Sequence, residues 1–199
     1  MCNNYANHIP IDEIFEIFSE SRFPLRFPSG PPNLEPNDDI RPTDAAPVIL
    51  PQGDHTTLVR LKWGLLPSQP KRPPVINMRS NGRRFEKGRC LIPASSFFEF
   101  TGEKYPKTRW RFTRADGDWF CFAGYQNGPN TGDGDDARFS LLTVDPGPDI
   151  APTHDRQPVV LDRADWDRWL AGEAGLLKPS PAGTWVIEEA PREAKGSLL

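Results

Sequence analysis

The residue with the most distinctive chemistry in this 199-residue chain is Cys2. A small side chain in second position permits removal of the initiator Met1, which leaves cysteine at the N-terminus and creates a 1,2-aminothiol. Its amine and thiol have reference pKa values of about 8 and about 8.5, so each is partly nucleophilic near neutral pH. The natural electrophile for the pair is an aldehyde. The amine forms a Schiff base, and the neighbouring thiol closes on it to a five-membered thiazolidine that hydrolyses less readily than the imine. Because many proteins carry an incidental Cys2, the pattern needs other residues beside it.

Three other stretches carry such residues. Glu99 stands inside Phe97-Phe98-Glu99-Phe100, where strand alternation sets it on the face opposite Phe98 and Phe100. A carboxylate among aromatics tends to hold its proton, as a general acid must; the competing reading is an outward Glu on a half-exposed strand. His154 lies in the polar turn Pro152 to Pro158, just before the apolar run Val159-Val160-Leu161, where a strand end can present it to a cleft. A lone His is more often structural, and Asp155-Arg156 can be a plain surface pair. Asn77 and Arg79 flank Met78, so alternation puts amide and guanidinium on one face, and such an arginine can fork onto phosphate.

The elements that must position these residues read as mostly β. Short aromatic and β-branched runs bounded by Gly, Pro and Asp predict strands at 57–63, 89–92, 96–101, 109–114, 119–125, 139–144 and 158–161. The Asp116-Gly117 turn predicts a hairpin between two of them. The Gly-, Asn- and Asp-rich stretch 127–136 reads as a long hairpin loop, since it lacks the closing Glu of a calcium loop. Ile11, Ile14, Phe15 and Phe18 recur at helical spacing after Pro10 and predict an amphipathic helix to about Ser21. A second helix is expected to start from Asp162 as capping residue, turn Trp166, Trp169 and Leu170 inward, and stop near Gly172. Proline-dense 24–47 is expected to be ordered surface loop. The fold class is α+β, in one domain spanning 1–199.

Composition narrows the function. Content of 37% hydrophobic residues suffices for one core, and the absence of a signal-like start or an 18-residue apolar run leads to the expectation of a cytoplasmic chain outside any membrane. Cys2, Cys90 and Cys121 are odd in number and show no C-x-x-C pair, so neither a disulfide scaffold nor a metal is expected. A net charge of −3 argues at first against nucleic acid. Its distribution reverses the argument: residues 60–114 carry 14 Lys and Arg against three Glu, a net of +11, leaving −14 for the remainder. One basic face would give that asymmetry, as would scattered solvated charge.

With these residues in place, the chain resembles the SRAP family of SOS-response-associated peptidase-like proteins, which form DNA–protein crosslinks at abasic sites. The resemblance runs in order along most of the sequence. Met1-Cys2-Asn3-Asn4-Tyr5 answers Met-Cys-Gly-Arg-Tyr, Pro42-Thr43 an early Pro-Thr turn, and Trp63-Gly64-Leu65-Leu66-Pro67 the Trp-Gly-Leu-x-Pro segment. Asn77 and Arg79 answer Asn-x-Arg, Cys90 to Ala94 leading into Phe97 to Phe100 a Cys-Leu-Ile-Pro-Ala run and its aromatic-Glu strand, and His154 to Pro158 the His-Asp-Arg-x-Pro motif.

The resemblance implies a partly open β-barrel, mostly antiparallel, with a few flanking helices and a groove for single-stranded DNA. It also implies that Cys2 attacks the open-chain aldehyde of the abasic sugar, that Glu99 and His154 handle protons, and that Asn77 positions the reacting N-terminus. Arg79 is expected to hold phosphate, with Trp63, Pro42 and Arg156 beside it on the DNA side. Autopeptidase and strand-cleaving lyase activities are secondary expectations. No cofactor is implied, and the protein is expected to act as a monomer that joins the nucleoid during repair. Three departures stand out: Asn3-Asn4 replaces Gly-Arg, Asn81 replaces the Glu that often ends Asn-x-Arg-x-Glu, and Gln69 replaces a Trp. Two further readings compete: an N-terminal-nucleophile hydrolase of amides, and a single-stranded DNA binder whose Cys2 is incidental.

Overall fold

The computed structural model describes residues 2–27, 30–69, 71–128 and 137–191. In chain order the elements are β1 (Tyr5–Asn7), α1 (Ile11–Ser19), β2 (Leu25–Arg26), β3 (Asn37–Ile40), β4 (Ala45–Gln52), β5 (His55–Trp63), β6 (Asn77–Arg79), β7 (Arg89–Ala94) and β8 (Ser96–Thr101). There follow β9 (Thr108–Arg114), β10 (Phe120–Gln126), β11 (Arg138–Val144), β12 (Gln157–Pro158), β13 (Val160–Leu161), α2 (Arg163–Leu170) and β14 (Trp185–Glu189). The α+β, strand-dominated class is thus observed, with two helices among the described residues.

The strands form two sheets. The first is antiparallel, in the order β14-β9-β8-β1-β3. The second runs β12-β11-β10-β7-β4-β5-β2, and a short parallel pairing of Lys62 with Arg138 and Trp63 with Phe139 joins β5 back to β11. The sheet therefore closes into a ring without becoming a regular barrel. Three of its pairings are parallel, including β6 on β11, so the arrangement is mixed.

Period-2 alternation splits the ring strands between two cores. Ala46, Val48 and Leu50 of β4, Cys90 and Ile92 of β7, Phe120 and Phe122 of β10, and Phe139 and Leu141 of β11 face the first sheet. Ile49, Leu91, Cys121, Ala123, Leu142 and Val144 face the helices. Burial on both faces explains why β7 and most of β10 and β11 read as unbroken apolar runs. On the helical side Phe18 of α1 stacks on Trp166 of α2 with centroids 5.3 Å apart, while Ser21 Oγ and the Arg22 N–H donate to the Asp167 carboxylate.

Three expectations need correction. Segment 24–47 is not loop throughout: it contains β2 and β3 and the start of β4. Prolines 47 and 51 are tolerated inside β4 because its register with β7 is a single pair, Ile49 with Leu91, that falls between them. The Asp116-Gly117 turn forms, with Gly117 at φ 77°, but it joins no hairpin. Strand β9 pairs with β8 and β14, and β10 with β7, β11 and β13, so the turn carries the chain from one sheet to the other. Asp162 stands at the α2 N-cap without a side-chain capping bond, and its carboxylate lies 3.3 Å from Arg114 Nη1 instead. The expected long hairpin at 127–136 does join the antiparallel pair β10 and β11, although 129–136 lie outside the described residues.

Candidate active site

Strand β8 lies between β1 and β9, and its inward face changes character along its length. Phe97 stacks on Phe112 at 4.7 Å in the dry centre of the first core. Two residues on, the same face carries Glu99 opposite Trp110, and then Thr101, whose Oγ1 accepts from Trp110 Nε1 at 2.8 Å. Alternation thus delivers a carboxyl to the edge of that core, where it is 2% exposed. Burial lifts its pKa from 4.5 to about 7, with a further upward push from Asp155 and an opposing pull from the positive charge at the chain's N-terminus.

Strand β6 presents Asn77, whose Nδ2 donates to the Cys2 carbonyl at 2.6 Å. Cys2 is fully buried, with Sγ 3.5 Å from the Asn4 carbonyl oxygen. Burial first, and then the Glu99 charge, push the thiol well above its ordinary range. His154 precedes β12, and its side chain is 24% exposed. Burial and then the N-terminal positive charge lower its pKa, while Asp155 and the backbone contact with Arg156 work in the opposite direction. Four residues separated by up to 152 positions, Cys2, Asn77, Glu99 and His154, therefore gather around the chain's N-terminus. Among the described residues, no group of three His, Cys, Asp or Glu side chains could hold a metal ion.

The expected DNA-side residues divide. Arg79 is exposed on the same short strand as Asn77. Pro42 is half-buried in the turn Arg41 to Asp44, where Thr43 adopts φ 78°, a conformation rare for a β-branched residue. That turn is pinned to β5 by Thr43 N–H to the Trp63 carbonyl at 2.8 Å and Trp63 N–H to the Asp44 carbonyl at 2.9 Å. Trp63 itself is fully buried, donates Nε1 to the Ile76 carbonyl, and packs against Tyr5 and Phe139. Its ring is unavailable for stacking on a base, which corrects that expectation. Arg156 is likewise 4% exposed and turned inward. Its guanidinium donates to Asp145 Oδ1 (2.8 Å), Asn81 Oδ1 (3.0 Å) and both oxygens of Thr143 (2.7 and 3.1 Å), so in this structure it ties the turn to β11.

Two of the sequence departures find their explanation here. Asn4 is buried, donating Nδ2 to Asp39 and to the Ile40 carbonyl, while its Oδ1 accepts from Arg109 Nε and Nη2 at 3.2 and 2.7 Å. The guanidinium beside the N-terminal strand comes from β9, where it also lies 3.4 Å over the Phe98 ring. Sequence reasoning missed Arg109, because 105 positions separate it from Asn4 and no local motif marks the pairing. Asn81 bridges Arg156 and Asp145, and the carboxylate of Asp145 supplies the negative charge that Asn81 lacks.

A ring-closed strand sheet, packed on a second sheet that brings Cys2 to a buried Glu and to half-buried Asn and His side chains, defines a class, and comparison identifies it. Residues 1–183 match the family described as SOS response associated peptidase (SRAP), and this chain belongs to that family. Among its relatives is "Abasic site processing protein YoqW" of Bacillus subtilis (strain 168), 30% identical over 185 residues that cover 85% of this chain and 80% of the relative. "Abasic site processing protein YedK" of Escherichia coli (strain K12) is 27% identical over 144 residues, 68% of this chain and 64% of its own. The fold is shared by a crystal structure of a Bordetella bronchiseptica protein, with TM-score 0.74 and 21% identity over 96% of this chain and all of the other.

Proposed function

We propose that this chain processes abasic sites in single-stranded DNA by forming a covalent thiazolidine through Cys2 once Met1 has been removed. The observation that carries the reading is the placement of a buried carboxyl with a pKa of about 7 beside the residue whose carbonyl Asn77 holds. The freed Cys2 amine adds to the aldehyde carbon of the open-chain sugar. Glu99, partly protonated near neutral pH, gives its proton to the hydroxyl that leaves as water, and takes back the nitrogen's proton as the neutral imine forms. The thiol then adds across the imine, sulfur to carbon and its proton to nitrogen, so the net loss is one water.

The reading also orders the two nucleophiles: a buried thiol stays protonated, so the amine acts first and sulfur second. The imine stage is where elimination would cleave the strand, as a secondary lyase activity. Removal of Met1, by the cell or by the protein itself, is the only peptide cleavage the reading needs. Arg79, exposed beside Asn77, holds a backbone phosphate, and single-stranded DNA offers the sugar without the cost of opening a duplex.

The test is to mix Met1-processed protein, and its Cys2→Ala variant, with single-stranded DNA carrying one abasic site and to run a denaturing gel. A heat-stable shifted band that needs both Cys2 and the abasic site is expected. No band with verified processing, or an undiminished band from Cys2→Ala, rejects the reading.

A further inference from the structure

Five of the six tryptophans in the chain, Trp63, Trp119, Trp166, Trp169 and Trp185, are buried, with between 0% and 7% exposed. Trp110 is the exception: it packs against the first core yet stays half-exposed. Its place in the sheet is beside the reacting groups. On β9 it stands directly opposite Glu99 of β8, so the two side chains share the inward face. The ring is also fixed. Its Nε1 donates to Thr101 Oγ1 at 2.8 Å, which satisfies the indole's one polar group within the protein and leaves an apolar surface outward. Arg109 and Arg111 flank Trp110 in sequence, but alternation turns them to the opposite face, where they meet Asn4 and Glu188.

We propose that Trp110 is a stacking surface for the nucleobase next to the abasic sugar, and so a specificity-determining residue of the reaction. This rests on the abasic-site reading, which puts the sugar at Cys2 and Glu99. Cross-strand partners on one face have Cβ atoms about 4.5–5.5 Å apart, so a sugar reacting beside Glu99 leaves the neighbouring base within reach of the indole. An abasic nucleotide has no base of its own, and the protein must hold it through its neighbours and its phosphates. A fixed indole suits that task. Every base has a π-face, so stacking tolerates any sequence, and a ring already held by Thr101 loses little freedom on binding. Covering apolar surface that the free protein leaves in water adds to the gain. Trp63, fully buried, cannot take this part. On its other side Trp110 is paired with Glu189 of the edge strand β14, an exposed carboxylate that turns phosphate away, so a base and not the backbone meets this face.

The probe is single-stranded DNA with tetrahydrofuran, an abasic analogue without an aldehyde, at one position, so that binding by Met1-processed protein is read apart from crosslinking. Because the other indoles are buried, tryptophan fluorescence reports on Trp110, and quenching at saturation is expected. In Trp110→Phe, which still offers a ring, the quench should disappear while affinity stays within about threefold. A quench that persists in this variant, or none in the wild type, overturns the proposal. Trp110→Ala should weaken binding by about tenfold, the scale of one base stacked on an aromatic ring. The deciding measurement is a cycle in which a second tetrahydrofuran replaces the base on one side of the first, and then on the other. On one side the missing base should cost the wild type about tenfold and Trp110→Ala almost nothing. Losses that multiply on both sides, with the fold intact by circular dichroism, overturn the proposal. If the Ala variant unfolds, Trp110→Leu, which fills the position without a π-face, takes its place in the cycle. A wild type that forms no crosslink at a true abasic site removes the abasic-site reading itself, whereas crosslinking together with multiplying losses removes only the role of Trp110.

Discussion

Two of the buried charged side chains, Arg89 and Glu99, make an instructive pair. On the helical side, Arg89 of β7 lies 4.3 Å over the Trp169 ring and donates to four carbonyls: Phe85 (2.5 Å), Trp169 (3.0 Å), Gly172 (2.8 Å) and Glu173 (2.6 Å). The last three belong to the C-terminal end of α2 and the turn after it, where the helix dipole favours a cation. On the other side, Glu99 is buried where burial favours its neutral form and lifts its pKa into the neutral range. Both sites pack a charged residue type into the protein. In the first, geometry supplies the partners that keep the charge and tie a helix to a sheet. In the second, the environment withholds full stabilisation of the charge, and what results is a group able to exchange a proton near pH 7.

This contrast can be broken most forcefully at Arg89. Arg89→Ala is expected to lower the free energy of unfolding by about 3–5 kcal/mol, because buried carbonyls lose their donor, as urea denaturation would measure. Folded protein from this variant should crosslink at the wild-type rate. A loss under 1 kcal/mol would mean that water replaces the guanidinium and that the site is no clamp.

Glu99→Gln should do the reverse, slowing crosslinking by about 100-fold while stabilising the fold at pH 8. The sign follows from the raised pKa: between about 4.5 and about 7 the folded state binds more protons at Glu99 than the unfolded state, so stability falls as pH rises through that window. Above it the ionised carboxyl costs up to about 3 kcal/mol, from 1.36 kcal/mol per pKa unit. The amide removes this cost, so thermal melts at pH 5 and pH 8 should converge in the variant. If they do not, Glu99 is not the group that titrates. The wild-type crosslinking rate should itself decline above about pH 7, as Glu99 loses the proton it donates.

The smallest expected effect is that of Arg79→Ala, which lies outside both buried clusters. It should weaken binding to abasic single-stranded DNA by about 1 kcal/mol and flatten the log-log salt dependence by roughly 0.7, one phosphate contact, in fluorescence anisotropy. Stability should stay unchanged. An unaltered salt slope would place the phosphate contact elsewhere on the basic stretch.

Much of this arrangement is legible in local sequence. Strand β8 falls on the predicted 96–101, and the predicted 89–92 and 139–144 lie inside β7 and β11, because buried strands concentrate β-branched and aromatic residues between turn formers. The predicted α1 runs two residues too long, since the chain turns at Glu20 to bring Ser21 and Arg22 onto Asp167 of α2, a contact across nearly 150 positions. Asp116-Gly117 marks a turn correctly and its strand partners wrongly. A tight turn reports local backbone preference, whereas pairing is decided by which sheet buries the apolar faces on either side. Trp63 and Arg156 show the same limit for side chains, since a Trp or an Arg in a motif looks alike whether it faces DNA or the core.

The amino-acid order thus determined the chemistry on offer: a removable Met1 before Cys2, a Glu among phenylalanines on one strand face, an Asn and an Arg two residues apart, and a His before an apolar strand. Each follows from side-chain identity and the fixed periods of local structure. Tertiary structure alone decided that Glu99 is desolvated beside Cys2, that Arg109 and not a neighbour of Cys2 steadies the N-terminal strand, and that Arg156 is turned inward onto Thr143, Asn81 and Asp145. Desolvation and long-range hydrogen bonds depend on what distant segments place around a group, and those distances come into being only when the two sheets close on each other.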